Sequence, residues 1–497
     1  MSQINVYDLT FYYEDSYDTI FEQVSFQIDT DWKLGFIGRN GRGKTTFLNL
    51  LMGNYEYRGK ITSSVTFDYF PFPIKDDEKD KNTIELVERI DSNYELWKIC
   101  RELSLLQVDS EILYRTFSTL SNGEQTKVML AVLFAKDNNF MLIDEPTNHL
   151  DTSSRGILKE YLKGKRGFIL VSHDKWFLDS CIDHVLVINK TNIQIEQGNF
   201  SSWFENKKSQ DQFELAENER LKKDVKRLTQ ASERTARWAD QVEKTKIGFN
   251  PIKEDRNISS RAYIGEKSRR MQQQRKNLEH RQQLALDNKS KLLKNIETAD
   301  SLKIIALKHH KEILVQAKDL AIYYDKKRIT KDLSFQIKNG DRIFLHGKNG
   351  CGKSSLLKRL LGKDIDFTGS FEMASGLIIS YVSQDTSFLN GTLQEFADSN
   401  KLNESLFLAL LRKLDFERTQ FDKSIKEFSE GQKKKVLIAK SLCEQAHLYI
   451  WDEPLNYIDI FSRIQIEQLI KEYQPTMLLV EHDKFFVEEI ATGILEF

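Results

Sequence analysis

The chain has 497 residues, of which 40% are hydrophobic and 30% charged, and its net charge is −1. That composition allows two or three domains of about 100–200 residues each. The longest apolar run, 128–135, is far short of the roughly 18 residues a membrane-spanning helix needs. The N-terminal MSQINVYDLTFYYED lacks the basic start and apolar core of a signal peptide. The four cysteines, Cys100, Cys181, Cys351 and Cys443, form no CxxC pair, so a reducing cytoplasm is expected rather than a disulfide framework or a zinc site.

In chain order, WKLGFI predicts a buried strand and TFLNLLM a helix, and GRNGRGKTT at 38–46 lies between them. GxxxxGK[ST] in strand–loop–helix context is a phosphate-binding loop. Its glycines let backbone N–H groups wrap phosphates, and the helix N-terminus adds positive potential. Gly38, Arg39, Asn40, Gly41, Arg42, Gly43, Lys44, Thr45 and Thr46 are the candidate ATP contacts. Lys44 is placed to reach the β- and γ-phosphates, and Thr45 to hold Mg²⁺.

Next comes LSNGEQ at 120–125. The apolar FMLI then ends in Asp144 and Glu145, and VSHDKWF follows with His173. An acid pair at the end of a buried strand suits metal-assisted hydrolysis: Asp144 holds Mg²⁺ through water, and Glu145 orients and deprotonates the attacking water. The plainer alternative is that these acids cap the next helix. His173 is a candidate γ-phosphate contact.

The segment at about 205–305 is different. It carries 24 basic and 16 acidic residues, so it is basic against an acidic remainder. Leu221, Val225, Leu228, Thr235 and Val242 form one loose apolar stripe, and Ile264, Met271, Leu278, Ala285 and Leu292 recur every seven residues. With Gly248, Pro251 and Gly265 as its breakers, it predicts a coiled-coil hairpin of two helices of roughly 35–40 residues, turning within 244–260. The run at 256–276 is its most basic part.

The first pattern then returns. GKNGCGKSS at 347–355 repeats 38–46, FSEGQ at 428–432 repeats the LSNGEQ motif, YIWDEPLNYID repeats MLIDEPTNHLD, and VEHDKFF repeats VSHDKWF. Lys353 lies 309 residues after Lys44, Glu453 308 after Glu145, and His482 309 after His173. Four motifs in one order at one offset mean a duplicated domain. Gly347, Lys348, Asn349, Gly350, Cys351, Gly352, Lys353, Ser354 and Ser355 therefore form a second phosphate loop. Asp452 and Ser354 are its metal candidates, and Glu453 and His482 its catalytic candidates. The copies differ at several places: YVSQD carries Gln384, a metal and ATP candidate, where the aligned YFPF of the first copy carries Phe72, and the first signature carries Asn122 while the second carries Phe428 and Glu430.

Across both copies these residues resemble the ABC ATPases, which the LSNGEQ-type signature separates from other phosphate-loop ATPases. The resemblance implies an α/β fold with two nucleotide-binding cassettes, each with a helical subdomain, packed head to tail. Ser429 and Gly431 would then cover ATP at Lys44, and Ser121 and Gly123 would cover ATP at Lys353. It also implies an adenine-stacking aromatic near each cassette start, at Tyr13 and Tyr324. The expected domains are a first cassette at 1–205, a helical linker at 206–310 and a second cassette at 311–497.

Two cassettes joined by a charged helical hairpin resemble the ABC-F translation factors. In that family the linker enters the ribosomal tRNA exit site and approaches the peptidyl-transferase centre. The implied partners are the bacterial 70S ribosome, its 23S rRNA and the P-site tRNA, with no membrane partner, and the chain acts as a monomer. Lys244, Lys246, Phe249, Arg256, Arg261, Lys267, Arg269 and Arg270 are the candidate ribosome- or tRNA-facing residues, Phe249 the deepest. Basic residues there suit nucleic-acid phosphates; the alternative is a solvated spacer. The long linker and the short insertion between Phe72 and the first signature resemble the Lsa-like antibiotic-resistance branch, which protects against lincosamides, streptogramin A and pleuromutilins. The rival readings are a housekeeping ABC-F factor and a soluble subunit of a transporter.

Overall fold

The computed structural model describes the chain apart from residues 1, 14–18, 137–138, 149, 189–192, 248–258, 293–301, 325–326, 348–349 and 417. The side chains of 239–240, 242–247, 259–265, 268, 282, 285–292, 324 and 419 also lie outside the described residues. Two compact units result. One joins Met1–Ser201 with Ala299–Phe497, and the other is Ser202–Thr298.

The first unit holds both cassettes. The strand Lys33–Ile37 sits inside a six-stranded sheet in the order Thr66–Phe70, Asn139–Asp144, Phe168–Val171, Lys33–Ile37, His184–Ile188, Ile193–Gln197. All its pairings are parallel except the last. Parallel strands must be covered on both faces, so they read as unbroken apolar runs; the FILV of Phe168–Val171 is buried at every position. By contrast Gln3–Tyr12 pairs antiparallel with Thr19–Asp29 and Arg58–Thr62, and its burial partly alternates, as a one-sided strand requires. The helices Thr83–Ile90, Leu96–Leu105 and Asn122–Ala135 form the helical part of this cassette.

The second cassette repeats the plan. Its parallel sheet runs Ile379–Val382, Leu448–Asp452, Met477–Val480, Arg342–His346, Gly493–Glu496. An antiparallel sheet is built on Ile313–Tyr324. In both copies the acid-pair strand and the phosphate-loop strand flank the strand that leads to the histidine. Three neighbouring C-terminal strand ends thus deliver all three motifs to one edge, where ligands of open α/β sheets bind. The fold class expected from the sequence is met.

The second unit contains most of two long helices, Phe200–Ile247 and Ser259–Leu292. The first has 48 residues, more than expected, because it starts at Phe200. The second runs through Gly265, expected as a breaker; one glycine costs a helix only about 1 kcal/mol. Leu221, Val225, Leu228, Thr235, Met271 and Leu278 of the expected stripes are half-buried between exposed polar positions. Among the described residues no helix is long and apolar enough to cross a membrane.

Candidate nucleotide sites

Each phosphate loop ends in a glycine with left-handed backbone, Gly43 at φ 88° and Gly352 at φ 105°. A Cβ there would lie 2.5 Å from Ile20 Cγ2 or 2.5 Å from Thr330 Cγ2 respectively. Only glycine fits both the conformation and the space. The helices Lys44–Leu51 and Lys353–Leu360 follow at once. Lys44 Nζ donates to the carbonyls of Gly38 at 2.6 Å and Arg39 at 3.0 Å, and Lys353 Nζ to that of Gly347 at 2.7 Å. Both ammonium groups are therefore held over their own loops. Lys348 and Asn349 lie outside the described residues.

At the first site Thr45 Oγ1 donates to Asp144 Oδ2 at 3.2 Å, and Tyr69 Oη donates to the same oxygen at 3.0 Å. A hydroxyl beside a carboxylate is the hard-oxygen set Mg²⁺ takes alongside phosphate oxygens and water, so these residues could hold the metal. Ser354 and Asp452 line the cavity at the second site. Tyr13 Oη shares a 2.8 Å hydrogen bond with Thr46 Oγ1, and its ring meets Phe11 and Tyr55 edge-on. The Tyr324 side chain lies outside the described residues.

Glu145 and Glu453 have the same backbone, with φ of 50° and 47°, and their N–H groups donate to Val171 O and Val480 O. Positive φ on a glutamate is strain of the kind that clusters at functional sites. Their carboxylates differ. Glu453 Oε2 accepts from Gln384 Nε2 at 2.8 Å and from Asn456 Nδ2 at 2.6 Å. Glu145 Oε1 is buried without a hydrogen bond; His173 Nε2 is 3.4 Å away, but not in hydrogen-bonding geometry. Burial, with Asp144 adding repulsion, pushes the Glu145 carboxyl up to about 8. Burial, with Lys44 and Arg463 adding repulsion, holds His173 well below its ordinary range. Burial likewise lowers His482 to about 4, and it raises Asp452 to about 6. Both imidazoles are thus neutral at neutral pH.

The register Tyr69↔Leu142 and Tyr381↔Ile450 places Phe72 opposite Gln384 in the repeat, as aligned from sequence. The Phe72 ring turns to Lys136, whose Nζ is 5.5 Å from its centroid, beside a cavity of about 530 Å³.

The cassettes meet through these motifs. A cavity of about 770 Å³ is walled on one side by Lys353, Ser354, Ser355, Gln384, Glu453 and His482, and on the other by Ser121, Gly123 and Asp151 of the first cassette. Ser121 caps the helix Asn122–Ala135, and Ser429 caps Glu430–Cys443, each in a reciprocal capping box. Each signature thereby ends in a helix N-terminus suited to an anion. At the first site Asn40 Nδ2 donates to Tyr457 O at 3.0 Å and lies beside Gly431. Arg39 reaches Asp415 at 3.4 Å, and Lys175 reaches Glu467 at 2.7 Å.

Sequence reasoning missed Arg155 and Arg463, both buried. Arg155 bonds Leu150 O and Asp174, and Arg463 bonds Ile458 O, Leu455 O and Asp483. The signal was present, since DTSSR recurs as DIFSR at the same offset. It also missed Tyr69. Of the candidate ribosome-facing residues, Phe249 and Arg256 lie outside the described residues, as do the side chains of Lys244, Lys246 and Arg261. Lys267, Arg269 and Arg270 are exposed, and Arg270 pairs with Glu266 at 2.7 Å.

The family described as ABC transporter matches residues 21–148 and 330–456. The ribosome protection protein VmlR of Bacillus subtilis is 27% identical over 491 residues, 97% of this chain and 85% of that protein. The energy-dependent translational throttle protein EttA of Haemophilus influenzae is 24% identical over 531 residues, 96% of this chain and 89% of that protein. A solved archaeal ribosome recycling factor, aABCE1, is similar with a TM-score of 0.61 at 18% identity, covering 98% of this chain and 87% of that one, a likeness of fold. The chain belongs to the ABC transporter family, as an ATP-hydrolysing member of its ABC-F branch.

Proposed function

We propose that the chain is an ATP-driven clamp that docks at the tRNA exit site of bacterial ribosomes and protects them from drugs of the peptidyl-transferase centre. The observation that carries the clamp is the second-site cavity, where the phosphate loop of one cassette faces the signature of the other. Neither cassette has a whole site alone, so ATP between them favours closure and its hydrolysis favours opening.

On this reading Lys44 and Lys353 leave their loop carbonyls for the β- and γ-phosphates. The loop N–H groups and the helix N-termini of Lys44–Leu51 and Lys353–Leu360 hold the phosphate oxygens. Thr45 with Asp144, and Ser354 with Asp452 and Gln384, would hold Mg²⁺, which supplies charge neutralisation on those oxygens. Glu453, oriented by Gln384 and Asn456, takes a proton from the attacking water. Glu145 does so at the first site, where a carboxyl raised to about 8 is a stronger base once ionised. Neutral His173 and His482 can donate an N–H to the γ-phosphate. Ser429 and Gly431 close the first site, and Ser121 and Gly123 the second. Tyr13 and Tyr324 stack on adenine; for Tyr13 this places the base beside Thr46.

The ribosome reading is supported by the similarity to VmlR, a ribosome protection protein by name, and by the basic long helices. Lys267, Arg269 and Arg270 face nucleic acid in it, and Phe249 lies deepest. The similarity to EttA favours a second reading, a housekeeping translation factor. The first test is Glu145→Gln with Glu453→Gln. The doubly changed protein is expected to trap ATP and to co-sediment with ribosomes. Failure to co-sediment in ATP overturns the ribosome reading. Expression in a susceptible strain separates the two readings: unchanged inhibitory concentrations of lincosamide, streptogramin A and pleuromutilin leave the housekeeping one.

A further inference from the structure

Two ionisable side chains are buried beside the Glu453 loop and are neutral in the first cassette. Lys434 and Glu481 are almost inaccessible, at 2% and 5% exposure. Their counterparts in the repeat are Thr126 and Ser172.

Lys434 lies in the helix Glu430–Cys443, which carries the second signature. Its Nζ donates to Ser383 O at 2.8 Å and to Asp452 O at 3.4 Å. Those carbonyls immediately precede Gln384 and Glu453, the two partners of the 2.8 Å amide–carboxylate bond. One ammonium thus fixes the backbone on both sides of that bond. Glu481 works from the opposite side. Its Oε1 accepts the Leu455 N–H at 2.8 Å, and its Oε2 accepts the His482 N–H at 3.0 Å. It therefore joins the loop after Glu453 to the histidine loop. Arg463 donates to Leu455 O at 2.8 Å and supports the same loop.

The first cassette keeps the arginine, as Arg155, but has no charged counterpart of Lys434 or Glu481. Thr126 Oγ1 only returns to Asn122 O at 2.9 Å within its own helix. Ser172 meets Thr147 through a 3.4 Å hydroxyl contact and accepts the Asp174 N–H at 3.2 Å, an uncharged link between the same two loops. Where position 384 becomes Phe72, there is no amide–carboxylate bond to align, and there the lysine and the glutamate are missing together. Burial lowers the Lys434 ammonium, and Asp452, Glu453 and Glu481 oppose that. A buried charge that loses its partner costs more than the pair does.

We propose that Lys434 and Glu481 are a matched pair of positioning residues that hold Glu453 and His482 in hydrolytic geometry at the second site. The inference rests on the reading of Glu453 as the base, so its test has two independent arms. The first is turnover of the full chain carrying Glu145→Gln, so that the second site is read. Lys434→Thr or Glu481→Ser is expected to lower kcat about tenfold with KM for ATP within about twofold, and the double change to recover part of the loss, since coupled residues are non-additive. Unchanged kcat in the single variants, or losses that simply multiply in the double, overturns the pairing. The second arm is hydrogen exchange without nucleotide. Glu481→Ser is expected to speed exchange around Leu455 and His482, and to leave the matching stretch around Thr147 and His173 unchanged. Exchange that stays slow in the second cassette refutes the positioning role whatever turnover shows. If Glu145→Gln alone abolishes turnover, the assignment of hydrolysis to the second site is what fails, and the exchange arm still decides the pair. Glu481→Gln, which keeps one acceptor, serves where the serine variant does not fold.

Discussion

The two nucleotide sites share phosphate loop, acid pair, histidine and signature, and differ in what surrounds the glutamate. At the second, Glu453 is gripped by two amide side chains above a backbone tied by Lys434 and Glu481. At the first, Glu145 is buried with one oxygen unbonded, beside a phosphate loop in direct contact with the opposite cassette. The glutamate of the first site lacks the amide partners that preorganise Glu453 at the second. A motif names the reacting groups, and the shell around it sets how ready they are. The second site is therefore expected to carry most of the turnover, and the first to respond most to changes in packing.

The largest effect tests the division of hydrolysis. Removing a general base costs about 10²–10⁴-fold at its own site. Glu453→Gln is expected to cut total ATPase at least about tenfold, and Glu145→Gln less than about twofold, in steady-state phosphate release with saturating ATP. The reverse ranking would break the comparison outright.

The next tests closure. A Cβ on Gly431 would lie 2.3 Å from Tyr457 O and 3.0 Å from Asn40 Nδ2, whereas among the described residues a Cβ on Gly123 meets Leu150 Cδ2 at 3.4 Å. Overpacking against backbone costs about 1–3 kcal/mol. Gly431→Ala is expected to lower stability by that amount in chemical unfolding, and Gly123→Ala by less than about 1 kcal/mol. Equal losses would mean that the contact at the first site is not tight.

Much of this architecture was legible because it is written twice. The phosphate loops, acid pairs, histidines and signatures recur at one offset, and each depends on local backbone chemistry: a left-handed glycine, a strand end, a capping serine. The contrast between the sites was only half legible. Phe72 against Gln384 showed in the alignment, but the raised Glu145 carboxyl depends on its burial and on Asp144, Arg463 and Lys44 around it, of which Arg463 comes from the other cassette. Lys434 and Glu481 escaped notice because a lysine in a helix or a glutamate before a histidine is ordinarily solvated. Only the packing of the signature helix against the acid-pair strand makes them internal. The long helix began earlier than its charge pattern suggested because Phe200 and Trp203 are buried apolar positions, which a search for charged stripes passes over.

A smaller effect separates the cassettes by pH. Burial, only partly offset by Arg463, pushes the Glu481 carboxyl from its usual 4.5 up to about 7; Ser172 has no such group. Between those values the folded chain holds this proton and the unfolded chain does not. The contribution is thus fully present below about 4.5 and is lost as pH rises to about 7. Glu481→Gln is expected to flatten the fall of stability across that window, by less than about 1.4 kcal/mol per pH unit. Ser172→Ala should leave the slope as it is. Parallel slopes for wild type and Glu481→Gln would show that this carboxyl is ionised in the fold.

The smallest effect concerns the metal side of the first site. Tyr69 Oη donates to Asp144 Oδ2 at 3.0 Å, on the oxygen that Thr45 also uses. Tyr381, its counterpart, has no such bond to Asp452 among the described residues; burial, with the Asp452 charge adding to it, raises its hydroxyl. Tyr69→Phe therefore removes one hydrogen bond to the metal-holding carboxylate, worth about 0.5–1.5 kcal/mol, while Tyr381→Phe removes none. With Glu145→Gln to hold ATP at the first site, Tyr69→Phe is expected to raise the Mg²⁺ concentration for half-maximal trapping about two- to tenfold. Tyr381→Phe at the second site, with Glu453→Gln, should leave it unchanged. If both tyrosines shift the requirement equally, the hydroxyl acts through packing of the strand rather than through Asp144, and the two metal sites are alike after all.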